Sequence, residues 1–149
     1  MARAVGVELA LAKAAQIVIV NRTHERGWEL VELLGGPSGV AVSFVPWDDE
    51  FTVPADTDVL VSAIAAEPGE EETPLALSLE QLTASTIVAD ASYNPPRTRL
   101  LNEAAKRGAP TIQGLDIFIE QATGNFRLWT GVEPDPTVMR DAVEEFLEL

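Results

Sequence analysis

The sequence predicts an α/β domain built on a doubly wound, mostly parallel sheet with helices on both faces. Ile17, Val18, Ile19 and Val20 form an unbroken β-branched run, the pattern of a parallel strand covered on both sides. Segments of that kind then alternate with helix-forming segments along the whole chain. A third observation points to a ligand. The run Asn21-Arg22-Thr23-His24-Glu25-Arg26 follows the first strand directly. It puts an amide, a hydroxyl and two guanidinium groups at the carboxyl edge of the sheet, where open α/β sheets bind ligands.

Residues 1–15 are Ala-rich, with Val5, Leu9 and Ala12 on one face, and read as a helix. After the strand, Thr23 is placed to cap a helix that runs to about Leu34 with Trp28, Val31 and Leu34 inward. Gly35-Gly36-Pro37 stops it. Residues 40–45 and 59–64 read as strands, and Pro68-Gly69-Glu70-Glu71-Glu72 between later elements as a solvated acidic loop. A short helix is expected over 75–82 and a strand over 86–90. Pro95-Pro96 opens a helix over about 97–107, closed by Gly108, and 111–113 is a short strand. Leu115, Phe118, Ile119, Ala122, Phe126 and Trp129 keep helical spacing up to Gly131. Beyond Pro134 and Pro136, a last helix turns Val138, Met139, Ala142, Val143, Phe146 and Leu147 inward. The length of 149 residues implies one domain.

Composition narrows the function. There are no cysteines, which excludes disulfides, a thiol nucleophile and cysteine metal sites; no metal site is read from the other residues. A net charge of -14 argues against a nucleic-acid partner, since phosphate backbones are bound by clustered Lys and Arg. No apolar run is long enough to cross a bilayer and no signal peptide is seen, so no membrane role and a cytoplasmic location are expected. The basic residues are uneven: Arg3, Lys13, Arg22 and Arg26 outnumber Glu8 and Glu25 in residues 1–26. A small basic island in an acidic chain suits a small anionic ligand. Arginine suits a phosphate, with a planar fork of donors and a permanent charge. His24, the single histidine, reads as an exposed residue of a helix's first turn rather than a catalyst.

Four stretches together resemble the nucleotide-binding half of the quinate/shikimate dehydrogenase family. Asn21-Arg22-Thr23-His24-Glu25-Arg26 is similar to the family's Asn-Arg-Thr-x-x-Arg. Asp90-Ala91-Ser92-Tyr93-Asn94-Pro95, with Thr98, Leu100 and Leu101, is similar to its Asp-x-x-Tyr-x-Pro-x-x-Thr-x-Leu-Leu. The segment from Gly114-Leu115 to Gln121-Ala122 resembles Gly-Leu-x-Met-Leu-x-x-Gln-Ala, and Phe126-Arg127-Leu128-Trp129-Thr130-Gly131 resembles the closing segment. The resemblance implies a Rossmann-like fold and NADPH-dependent, reversible reduction of 3-dehydroshikimate to shikimate in aromatic amino-acid biosynthesis. It implies that Asn21, Arg22, Thr23 and Arg26 hold the adenosine 2′-phosphate of NADP. Cations fit this, because an NAD site would place a carboxylate after the strand to hold the ribose hydroxyl. By the same resemblance Ser62, Ala63 and Gly114 lie near the nicotinamide, and Tyr93 and Gln121 face the small-molecule substrate.

The likeness also has departures. Only Met1 precedes Ala2-Arg3-Ala4, where the family carries a strand and a Gly-Ala-Gly-Gly-Ala-like run. A missing first strand and glycine-rich loop are therefore expected, with an exposed sheet edge open to homo-oligomer formation. The family's substrate domain, with its lysine and aspartate, is expected to be absent, so no catalytic residue is assigned and the isolated chain is expected to be inactive. Lys13 and Lys106 lie outside the matched motifs. Finally, Ser62-Ala63-Ile64-Ala65 stands where the family has Asn-Ala-Thr-Ser. These departures keep a second reading open: a non-catalytic nucleotide-binding or protein-interaction module derived from the family.

Overall fold

The computed structural model describes residues 1–36, 39–64 and 76–148. Ala65, Leu75 and the acidic stretch 68–72 lie outside them. The chain divides into two compact units, Met1–Phe51 and Thr52–Leu149. Both are α/β with parallel strands, as expected.

In the first unit, helix α1 (Ala2–Leu11) leads through a turn, in which Lys13 adopts φ 64°, into strand β1 (Gln16–Asn21). Helix α2 (His24–Leu34) then returns the chain to strand β2 (Ala41–Pro46). The strands pair in parallel from Gln16↔Ala41 to Asn21↔Pro46. Ala10, Ile17, Leu30 and Leu34 form the core, with Leu9, Ile19, Val40 and Val42 packed around it. β1 is therefore covered mainly where Ile17 and Ile19 point, while Val18, on the opposite side of the pleat, is 41% exposed. Coverage of both faces was the expectation for this strand; within this unit it does not hold for Val18. Trp28 also departs from expectation: Gly27, Leu30 and Leu34 are the buried residues of α2, and Trp28 is exposed with its ring edge-on to Phe44. The cause is close approach. A Cβ on Gly27 would lie 2.2 Å from the Phe44 ring, so the glycine marks the contact face and turns Trp28 outward.

In the second unit, strands β4 (Val59–Ser62), β6 (Ile87–Asp90) and β7 (Thr111–Ile112) form a parallel sheet in the order β4-β6-β7. A short pair, β3 (Phe51–Thr52) with β5 (Leu77–Ser78), begins at the boundary between the units. Val53 N–H donates to the Ser78 carbonyl beside it. No helix occupies 76–82. Leu77, Leu79 and the buried Leu82 sit in a strand and turn instead. Helix α3 (Arg99–Lys106) starts two residues later than expected, with buried Thr98 as its cap. Val88 and Ala104 have no exposed surface, and Leu100, Leu101, Leu115 and Ile119 are nearly as deep.

Helix α4 (Gly114–Thr130) ends at Gly131 in the left-handed conformation, where a side chain would be strained. Helix α5 (Pro136–Leu147) packs along α4 and is capped by Asp135, whose Oδ1 accepts from Thr137 N–H at 2.8 Å. Arg140 bridges the two helices through Asp116 at 2.5 Å, which raises the guanidinium's already high pKa. The inward face expected of α5 is not buried: Val138 and Phe146 are exposed, as are Phe126 and Trp129 of α4, and α5 has no buried residue at all. Among the described residues no helix is long and apolar enough to cross a membrane.

Leu34→Ala should cost the first unit about 2–5 kcal/mol, because the site is 3% exposed and closely packed. Urea titration followed by tryptophan fluorescence reads this. On α3, Lys106 first and then Arg107 hold Glu103 below its ordinary range. That stabilisation is present above the ordinary carboxylate pKa and disappears as pH falls through the lowered value. Glu103→Gln should thus lower the melting temperature slightly at neutral pH and leave it equal to wild type in acid.

Candidate functional site

The polar groups singled out from the sequence collect at the carboxyl edges of the parallel strands, the first unit's set at β1 and the second unit's at β4, β6 and β7. In the first unit, Asn21 closes β1 and its Oδ1 accepts from Thr23 N–H at 2.8 Å. This side-chain turn redirects the chain into α2. Thr23 occupies the cap position, but its hydroxyl makes no capping bond, contrary to the expected role. Asn21 fixes the turn, and among the described residues the first-turn amides of α2 take no side-chain acceptor. Arg22 and Arg26 are exposed and flank this turn, one before the helix and one in its first turn. Among the described residues neither guanidinium takes an ion pair or hydrogen bond. His24 does: its Nε2 lies 3.2 Å from Asp48 Oδ1, and its ring sits edge-on to Phe44.

In the second unit, Ser62 ends β4, and its carbonyl accepts from Ala91 N–H at 2.9 Å. Ala63 follows it, half-buried. Ser92 Oγ donates to the Ile64 carbonyl at 3.4 Å, tying the chain after β6 to the chain after β4. Gly114 is buried and opens α4 beneath that crossing. A Cβ there would stand 2.2 Å from the Ser92 carbonyl oxygen and 2.7 Å from that of Ala91. The space left by the absent side chain is therefore filled by the protein's own backbone. Tyr93 is 40% exposed, with its ring 5.2 Å from that of Phe118 on α4. Gln121 is exposed on the same helix, three residues further on. Ser62, Ala63, Tyr93 and Gly114 are thus assembled around one crossing. Of the two lysines, Lys13 lies in the turn after α1, and Lys106 pairs with Glu103 at 2.6 Å.

Comparison with known proteins adds a family to this geometry. Residues 114–144 match the model described as the shikimate 5'-dehydrogenase C-terminal domain. The shikimate dehydrogenase (NADP(+)) of Methanopyrus kandleri is 43% identical over 150 residues, covering 98% of this chain and 51% of that protein. The chain belongs to the shikimate dehydrogenase family. It spans about half the length of the relatives that it matches along nearly its whole extent. Proteins of solved structure share the fold. The 5-ketofructose reductase of Gluconobacter sp. strain CHM43 superposes with a TM-score of 0.89 at 34% identity, covering 97% of this chain and 52% of that one. The quinate dehydrogenase of Corynebacterium glutamicum, solved with NAD, gives 0.79 at 31% identity, with 99% and 51% covered.

Two polar residues of this edge carried no role in the sequence reading, although the family motif contains both. Asp90 and Thr98 are 3% and 5% exposed, and Thr98 Oγ1 donates to Asp90 Oδ2 at 2.8 Å. A carboxylate just past a buried β-branched run, followed eight residues later by a helix-capping threonine, was the available signal.

The contacts of Gly114 set up a contrast within one helix. Gly114→Ala should destabilise by about 1–3 kcal/mol or more, since a backbone carbonyl must move. Gly124→Ala meets nothing within 4 Å and should stabilise by about 0.5–1 kcal/mol through helix propensity. Thermal melts of the two variants should therefore shift in opposite directions.

Proposed function

We propose that this chain is the NADP-binding portion of an oxidoreductase of the shikimate dehydrogenase type, acting on 3-dehydroshikimate and shikimate. One observation carries the cofactor part: Arg22 and Arg26 stand exposed, with no ion pair among the described residues, beside a helix start whose capping hydroxyl is unused. Two exposed cations beside a helix N-terminus fit a dianionic phosphate. In this reading Arg22 and Arg26 pair with the adenosine 2′-phosphate, and Asn21 and Thr23 shape the turn beneath it. Ser62, Ala63 and Gly114 border the nicotinamide end, and Tyr93 and Gln121 offer a hydroxyl and an amide to the substrate. NADPH, when bound, supplies the hydride. The chain's own groups bind and orient, and the chain alone is inactive for want of a proton-transfer pair, a group worth about two to four orders of magnitude in rate.

Calorimetric titration tests the cofactor assignment. NADPH should bind more tightly than NADH, and Arg22→Ala should weaken NADPH about 10- to 100-fold, the worth of one charge-assisted bond, while leaving NADH unchanged. The NADPH affinity should also fall as ionic strength rises, because both arginines are exposed. Equal and negligible binding of both nucleotides would overturn the assignment and favour a protein-interaction module. The apolar Ala63-Ile64 after β4 is the feature that favours such a module. An NADPH assay with 3-dehydroshikimate should show no turnover, and turnover of ordinary enzyme size would refute the proposed inactivity.

A further inference from the structure

We propose that Asp90 is a positioning residue for the substrate face: its carboxylate clasps both ends of the loop that carries Tyr93. The proposal rests on the reading above in which Tyr93 meets the substrate.

Asp90 is the last residue of β6 and is 3% exposed. Its Oδ1 accepts from Ser92 N–H at 3.1 Å, and its Oδ2 accepts from Thr98 Oγ1 at 2.8 Å. Ser92 and Thr98 are the two ends of the loop, so one side chain closes it. Thr98 is itself buried and does two jobs. Its hydroxyl donates to Asp90, and its oxygen accepts from Leu101 N–H at 3.4 Å in the first turn of α3. The clasp thereby joins the strand end, the loop and the helix start. Between its ends, Tyr93, Asn94, Pro95 and Arg97 are exposed, so the span has few packing contacts of its own to define it. Further restraints act at Ser92, through the bond to the Ile64 carbonyl and the close pass over Gly114, and at Arg97, whose carbonyl accepts from Asn102 Nδ2 at 3.5 Å. Tyr93 follows Ser92 directly, and the contact with Phe118 shows where this leaves its ring.

A buried carboxylate is costly unless its oxygens are satisfied, and an apolar residue would fill the same space without that cost. What Asp90 adds is geometry: two charge-assisted bonds, one on each end of the loop. Placing a substrate-facing hydroxyl requires such support from behind, because an angstrom of misplacement weakens its contacts.

Tyr93 is the only tyrosine in the chain, so incorporation of 3-fluorotyrosine gives one fluorine resonance that reports on it alone. In wild type this line should be sharp and displaced from that of the free amino acid. Thr98→Ser keeps the hydroxyl and should keep the line in place. Thr98→Val removes it without changing size, and should shift the line by more than its width and broaden it. Asp90→Ala should do so more strongly. Should Asp90→Ala fail to fold, Thr98→Val carries the test, because it leaves the Ser92 bond to Asp90 intact. The 5-fluorotryptophan lines of Trp28 and Trp47, in the other unit, should stay fixed in folded variants and so separate a local loss from a general one. A Tyr93 line unmoved in folded Thr98→Val and Asp90→Ala would overturn the clasp. Adding shikimate to wild type tests the underlying reading separately: a displaced Tyr93 line supports it. A line unmoved at millimolar shikimate overturns the substrate role and leaves the clasp result standing.

Discussion

The second unit is organised around a single buried carboxylate. Asp90 sits where β6 ends, and both its oxygens are engaged by groups that follow it in the chain. Unmade, either bond would leave a charge-bearing group in a dry interior, which is far more costly than a missing surface contact. That asymmetry gives the bonds their structural leverage. They set the path of the chain after β6, and this path passes over Gly114 so closely that only glycine fits. The start of α4, and with it the placement of Phe118 and Gln121, follows from the same crossing.

The first unit solves a different problem with simpler means. Asn21 turns the chain with its own side chain, Gly27 lets α2 approach Phe44, and the small core of Ala10, Ile17, Leu30 and Leu34 holds α1 and α2 to the strands. The outcome is a helix start that presents the Arg22 and Arg26 guanidinium groups, exposed, on either side of Glu25. His24 Nε2 and Asp48 Oδ1 engage each other at 3.2 Å and leave the two arginines aside. The contribution of Arg22 and Arg26 is left unopposed by any ion pair among the described residues.

How much of this was legible depends on whether a feature is local. The strands were readable because β-branched runs such as 17–20 and 86–88 have few other stable uses. The stretch 75–82 was not. Its leucines at 75, 77 and 79 alternate with period two, which is a strand pattern, but Leu79 and Leu82 also satisfy helical spacing. Helix faces were misread where the closest contact is made by a small residue. Counting large apolar side chains put Trp28 inside, whereas Gly27 marks the closest approach of the helix backbone to Phe44 and Trp28 meets that ring from the exposed side. The same count turned Phe146 inward, yet it is 85% exposed. Periodicity reports that a helix has an apolar side, and it does not report what covers that side. The candidate site divides in the same way. The cations after β1 and the residues around Tyr93 could be placed from motif order. The roles of Asp90 and Thr98 could not, because they depend on burial and on a bond across eight residues.

The shallow seating of α5 bears on how the molecule opens. With no buried residue, the helix is held by the Asp135 cap, the Arg140 bridge to Asp116 and side-on contact with α4. Local opening free energy scales with the apolar surface that an opening exposes, and here little would be newly exposed. Helix α5 should therefore detach and re-form many times for each global unfolding event. Its amides would exchange with solvent early, and a protease would cut within it while the sheet behind Asp90 remained intact.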